Sequence, residues 1–264
     1  MLNSKKTDLP RIFRSLASGR DLKFPTLDLI GLSLLVAAMA FFLYRDPFSI
    51  NHKILDFLRL RFSIFTKEPR LLFYASIHIG AFIAKAVALV LIMLLLAVRR
   101  FHIEENIAVR TPEPGWWRKL LLPFVVVAVG MRIYYIADPL MPNLPIRMVF
   151  PEAMLVANAV FILSAIFMAP VAEEIIYRGY MFDVLKRSFG SAASVLLTSV
   201  LFAAAHLPQL NFEILDFGII LMLGLLFGVL REKTGSVLVP IAFHGIYNII
   251  SVVVGVANYF ISGY

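Results

Sequence analysis

Several apolar runs in this chain are too long and too uninterrupted to be anything but membrane-crossing helices. A helix needs about 20 apolar residues to span the hydrocarbon core, and a soluble core helix is shorter or striped. Thr26–Tyr44, Leu71–Val98, Leu120–Ala137, Glu152–Arg187, Ala192–Leu207, Phe212–Leu230 and Val237–Ile261 all read this way. The composition agrees: 60% of the 264 residues are hydrophobic and 16% are charged, where a soluble domain carries roughly a quarter charged. The expected fold is all-α, a polytopic transmembrane helical bundle of about seven spans.

Residues 45–70 differ from the rest. Ile54, Leu55, Phe57, Leu58, Phe62 and Phe65 alternate with Lys53, Arg59, Arg61 and Lys67. This pattern predicts an amphipathic helix lying in the interface. Pro170 predicts a kink in the fourth span, Gly190 its end, and Arg231–Gly235 a turn. Trp116 and Trp117, within the charged loop Arg99–Lys119, read as an interfacial belt. Two regions are expected: 1–150, with N-terminal spans and a basic tail, and 151–264, with the groups that carry chemistry.

The net charge is +8. In a membrane chain this reflects flanks that set orientation and meet anionic lipid, and no aromatic-basic or zinc-finger pattern argues for nucleic acid. Basic residues cluster before Pro25 and in Arg99–Lys119, and Arg178, Lys186, Arg187, Arg231 and Lys233 lie on the same predicted side. The bias predicts a cytosolic N-terminus and an outside C-terminus in a prokaryotic plasma membrane, with the basic 45–70 segment as the conflicting feature. The absence of cysteine excludes disulfides, thiol nucleophiles and thiolate metal sites.

Ionisable groups inside a membrane are costly and usually face the bundle interior for a reason. Glu173, Glu174, Arg178, His206, His244 and Asn248 are the group that asks for one. Glu174 and Arg178 are four apart and can pair on one helix face. Glu173 points about 100° away and lacks that partner, which suits a general base. A pair of ordinary helix-end charges is the plainer alternative. His206, at a helix end, reads by itself as structural, and His244 with Asn248 reads as helix–helix hydrogen bonding. Sequence alone does not show that these residues converge. His78, Lys85 and Arg132 also fall within spans, and Lys85 and Arg132 read as snorkelling or internally paired groups.

In combination these residues resemble a known family. Glu173-Glu174-Ile175-Ile176-Tyr177-Arg178, Phe202-Ala203-Ala204-Ala205-His206 and His244-Gly245-Ile246-Tyr247-Asn248 follow, in order, the motifs of the CAAX-protease and bacteriocin-processing family, also called the Abi family. The resemblance covers about residues 152–255. It implies a helical membrane endopeptidase whose cavity opens toward the cytosol. It also implies roles: Glu173 as the base that activates water, His206 as its positioning partner, and His244 and Asn248 as oxyanion donors, with Glu174 and Arg178 in support. The resemblance favours a mechanism without metal or other cofactor. Zinc held by His206, His244 and a glutamate is the alternative, although no His-Glu-x-x-His helix is present.

The expected substrate is a membrane-associated peptide or protein, with a prenylated CAAX end the less favoured case. A non-proteolytic adaptor or immunity protein is the second reading. A transporter is the third, weakened by the lack of an internal repeat. Gly224 and Gly228 form a small-x-x-x-small pair, read as internal packing before dimerisation.

Overall fold

The computed structural model describes residues 108–109, 111–112, 115–137, 155–207 and 214–262, with scattered helical positions between 31 and 94. The first two expected spans, the interfacial segment 45–70, His78 and Lys85 lie outside or almost wholly outside the described residues. Those described are almost all helical and contain no strand.

A 3-10 turn at Gly115–Leu120 leads into α1, Leu121–Ala137. The next helical stretch, α2, changes register along its length. It is α-helical over Leu155–Leu163, π-helical over Ser164–Met168 and α-helical over Ala169–Glu174. It is π-helical again over Ile175–Met181 and closes as α-helix over Phe182–Phe189. Helices α3 (Ser191–His206), α4 (Ile214–Thr234) and α5 (Leu238–Ser262) complete the bundle. Three helices among the described residues are long and apolar enough to cross a membrane: Asn158–Phe189, Ile214–Thr234 and Leu238–Ala257. The chain is an integral membrane protein with an all-α bundle fold.

The sequence expectations need two local corrections. The kink expected at Pro170 takes the form of π-helix on both sides of a six-residue α segment. Proline removes an N–H and crowds the carbonyl four residues back, and a π register relieves the crowding while the N–H stays missing. The turn expected at Arg231–Gly235 begins later, because α4 continues through Thr234. Arg231 stays helical because its guanidinium has a buried partner: Nε donates to the Arg178 carbonyl at 2.9 Å, with Cζ 5.1 Å from the Phe182 ring centre. The break falls at Gly235, with φ +64°, a conformation that favours glycine. Gly190, φ +85°, ends α2 as its sequence position predicts.

Burial also changes the charge count. Arg178 and Arg231, taken from sequence as part of the inner basic flank, are interior residues, so they add nothing to a loop. Part of the charged loop is interior too. Ala108 is buried, and its carbonyl accepts the Val237 N–H at 2.9 Å, just before α5 begins. Trp117 is tied to the fold beyond its expected belt position, packing against the cluster of Phe227, Leu230, Val239 and Phe243.

Helix α4 lies tightly along α3, and α5 packs on α1, α4 and the first π and second α parts of α2. Glycines permit the α3–α4 approach. A methyl on Gly224 would come to 3.2 Å from the Ser199 Cα, and one on Gly228 to 3.1 Å from the Val195 Cγ1. The Gly224/Gly228 pair is therefore used inside the bundle.

Candidate active site

The site forms where α2 passes between α3 and α5. Glu173 and Glu174 end the short α segment, immediately before the second π segment. Consecutive residues on a helix point about 100° apart, so the two carboxylates have different surroundings.

Glu174 is fully buried. Its Oε1 accepts a hydrogen bond from Arg178 Nη1 at 3.1 Å and lies 2.9 Å from His244 Nδ1. Arg178, also fully buried, donates a second bond from Nη2 to the Gly224 carbonyl at 2.9 Å. Its Cζ lies 4.5 Å from the Phe202 ring centre and 5.6 Å from that of Phe227. The predicted Glu174–Arg178 pair forms, and it extends to a third residue on α5. A guanidinium with two hydrogen bonds, a carboxylate and aromatic faces is compensated in a way that a lone buried cation is not.

Glu173 faces the other way, toward two histidines. Its Oε2 is 3.6 Å from His206 Nε2 and 3.9 Å from His244 Nε2. Thus α2, α3 and α5 each contribute one group to a single point. These separations exceed a direct hydrogen bond and leave room for a small bridging group.

The far nitrogens settle which face each imidazole presents. His206 Nδ1 lies 2.7 Å from the Phe202 carbonyl oxygen. A carbonyl only accepts, so Nδ1 carries the proton. His244 Nδ1 similarly donates to the Glu174 carboxylate. In their neutral forms both rings therefore turn an Nε2 lone pair toward the Glu173 carboxylate. Two imidazole lone pairs and a carboxylate oxygen turned to one point suit a molecule that brings hydrogens, such as water.

Aromatic residues hold this geometry. Phe202 is buried, with its ring centre 4.6 Å from that of His206, 5.7 Å from His244 and 5.3 Å from Tyr177. Phe227 stacks on His244 at 5.3 Å and 21°. The phenylalanine of the Phe-x-x-x-His motif thus forms a wall shared by both histidines. Sequence reasoning did not find Phe227 or the Gly224 carbonyl as site components. The Gly224/Gly228 spacing was the available signal, because a close helix contact exposes backbone to the neighbour.

Asn248 reaches the same interior through a different contact. Its Nδ2 donates to the Ala165 carbonyl at 2.8 Å, in the first π segment. Arg132 lies apart from the six motif residues. It donates from Nη2 to the Tyr247 hydroxyl at 3.0 Å, linking α1 to α5.

Comparison with known proteins converges on the same part of the chain. Residues 155–250 match the family model described as type II CAAX prenyl endopeptidase, Rce1-like. A 24.3 kDa Escherichia coli protein described as uncharacterized is 27% identical over 192 residues, 68% of this chain and 83% of the relative. No solved structure matches. The family match supports a CAAX-type membrane endopeptidase, a hydrolase that works on a peptide in a bilayer environment.

Proposed function

We propose that this protein, Rce1-like over residues 155–250, hydrolyses a peptide bond in a membrane-associated substrate with water activated by Glu173. The observation that carries this reading is the meeting of Glu173 Oε2 with His206 Nε2 and His244 Nε2, at 3.6 and 3.9 Å. A water there would give one hydrogen to Glu173 and one to His206, which aims its lone pair at the scissile carbonyl carbon. Glu173 takes the proton as the oxygen–carbon bond forms. It then delivers that proton to the amide nitrogen as the carbon–nitrogen bond breaks, leaving a carboxylic acid and an amine.

His244 supplies the electrostatic part. When protonated it keeps Nδ1–H on Glu174 and presents Nε2–H to the oxygen that becomes negative. Glu174, held by Arg178, balances the imidazolium. The pair thereby orients a catalytic ring without touching substrate. The mechanism asks no metal ion of the chain.

The test is cleavage of a membrane-peptide library by the purified full chain, with and without a zinc chelator. Glu173→Gln keeps the shape and removes the base, so turnover should fall by about 10²–10⁴-fold with unfolding temperature unchanged. Wild-type activity that survives the chelator supports the glutamate mechanism, and activity lost to it moves the reading to zinc. Equal activity in Glu173→Gln sinks the assignment of the base. A folded wild-type protein that cleaves nothing across the library favours the adaptor reading.

A further inference from the structure

Proline has no amide hydrogen, so Pro170 cannot take its place in the backbone ladder of α2. Within the first π segment the ladder runs five residues back, and the Ala169 N–H donates to the Ser164 carbonyl. One step further the same register would require residue 170 to donate to the Ala165 carbonyl. An α register would require it to donate to Ile166. Pro170 can do neither, and a carbonyl left unpaired in a membrane interior is costly.

The carbonyls that residue 170 would serve in one register or the other, Ala165 and Ile166, both face α5. Asn248 Nδ2 donates to the Ala165 oxygen at 2.8 Å. The Ile166 oxygen lies against Gly245, where an added methyl would sit at 3.6 Å. The two carboxylates come three and four residues after Pro170, and Glu174 meets His244, one turn before Asn248 on α5. The two helices are therefore joined twice, by Asn248 to Ala165 and by His244 to Glu174, and run antiparallel between those points.

We infer that Asn248 is a positioning residue whose amide replaces the missing N–H of Pro170, fixing the register between α5 and the α2 segment that carries Glu173 and Glu174. The role in catalysis rests on the peptidase reading, but the hydrogen-bond coupling between Asn248 and Pro170 does not. This assignment differs from the oxyanion role that the motif resemblance implies. The Asn248 amide has a second hydrogen, so the two roles must be separated by experiment.

A double-substitution cycle does this. Asn248→Ala, Pro170→Ala and the double variant are made in the full chain, purified in detergent, and compared by backbone hydrogen exchange over 164–174 and by thermal unfolding. Asn248→Ala should speed exchange there by about tenfold and lower the unfolding temperature by about 3–8 °C. In the Pro170→Ala background the new N–H can serve the carbonyl, so both effects of Asn248→Ala should fall below half. Any loss of kcat should recover in parallel.

Asn248→Leu keeps the side-chain size without a donor, and should speed exchange as Ala does even if Pro170→Ala does not fold. Unchanged exchange over 164–174 in Asn248→Ala or Asn248→Leu overturns the inference. So do strictly additive effects in the cycle, or a kcat loss of the same factor in both backgrounds. Coupled exchange in a protein that cleaves no peptide would retain the Asn248–Pro170 link and remove the peptidase reading.

Discussion

At the scale of single residues, the decisive object is one carboxylate oxygen. Glu174 Oε1 takes Arg178 Nη1 at 3.1 Å and His244 Nδ1 at 2.9 Å, and both members of the ion pair are fully buried. Breaking such a pair from one side leaves a charge that neither water nor protein offsets. Glu174→Leu should therefore destabilise the protein by about 3–5 kcal/mol, while Glu174→Leu with Arg178→Met should lose less than Glu174→Leu alone. Thermal unfolding of the purified variants measures both. Lys186 and Glu232 also pair, at 2.6 Å, but their side chains are 42% and 25% exposed. Screening reduces that pair to under about 1 kcal/mol, so Glu232→Ala should scarcely move the same transition. The spacing of Glu174 and Arg178 made their pairing legible in the sequence. Its extension to His244 was not, because nothing along the chain states which face of α5 turns toward α2.

At the scale of helices, two devices set the site. Changes of register in α2 place consecutive carboxylates between different neighbours, and glycines in α4 let Arg178 reach a backbone oxygen. The glycines differ in what they meet. A methyl at Gly224 would approach the Ser199 backbone at 3.2 Å and Arg178 Nη2 at 3.3 Å, whereas one at Gly228 would first meet the Val195 Cγ1. Gly224→Ala should cost about 1–3 kcal/mol and also reduce peptide cleavage, because it pushes on the guanidinium behind Glu174. Gly228→Ala should cost less and leave kcat close to wild type, because a side-chain methyl can give way. A Gly224→Ala protein with normal kcat would show that Arg178 does not transmit position to the site. The helices themselves were legible from apolar run length, and the α2–α3 boundary from Gly190. The π segments were not, because a proline marks where the ladder fails without saying which neighbour repairs it.

At the scale of the whole molecule, the described bundle has its polarity reversed relative to a soluble protein. Leu122, Val126, Phe167, Met222 and Val253 are more than half exposed, while Glu174, Arg178, Thr198 and Ser199 are fully buried. A lipid surround accounts for both, since exposed apolar side chains match the tails and polar groups satisfy one another inside. The protein should remain in the pellet when membranes are washed with alkaline carbonate and should leave it only with detergent. Recovery in the wash would contradict the spanning reading. Arginine at Val126 should reduce membrane-inserted yield, since a central arginine costs about 2.5–3.5 kcal/mol on insertion scales. Quantitative blotting of membrane fractions gives that comparison.

The sequence by itself determined the properties that act along the chain. Run length made the protein a helical membrane bundle, the glycine at 190 ended a helix, and the three motifs selected the six polar residues that need explaining. Tertiary structure decided what those residues meet. It brought Glu173 to His206 and His244 from three helices, gave Arg231 a buried carbonyl in place of a loop, and directed Asn248 to the carbonyl that Pro170 leaves unpaired. The physical reason is one of range. Helix formation and its interruptions depend on bonds between residues a few positions apart. The partner of a buried polar group depends on how neighbouring helices rotate and slide as they pack, and that packing is set by the shapes of all their side chains together.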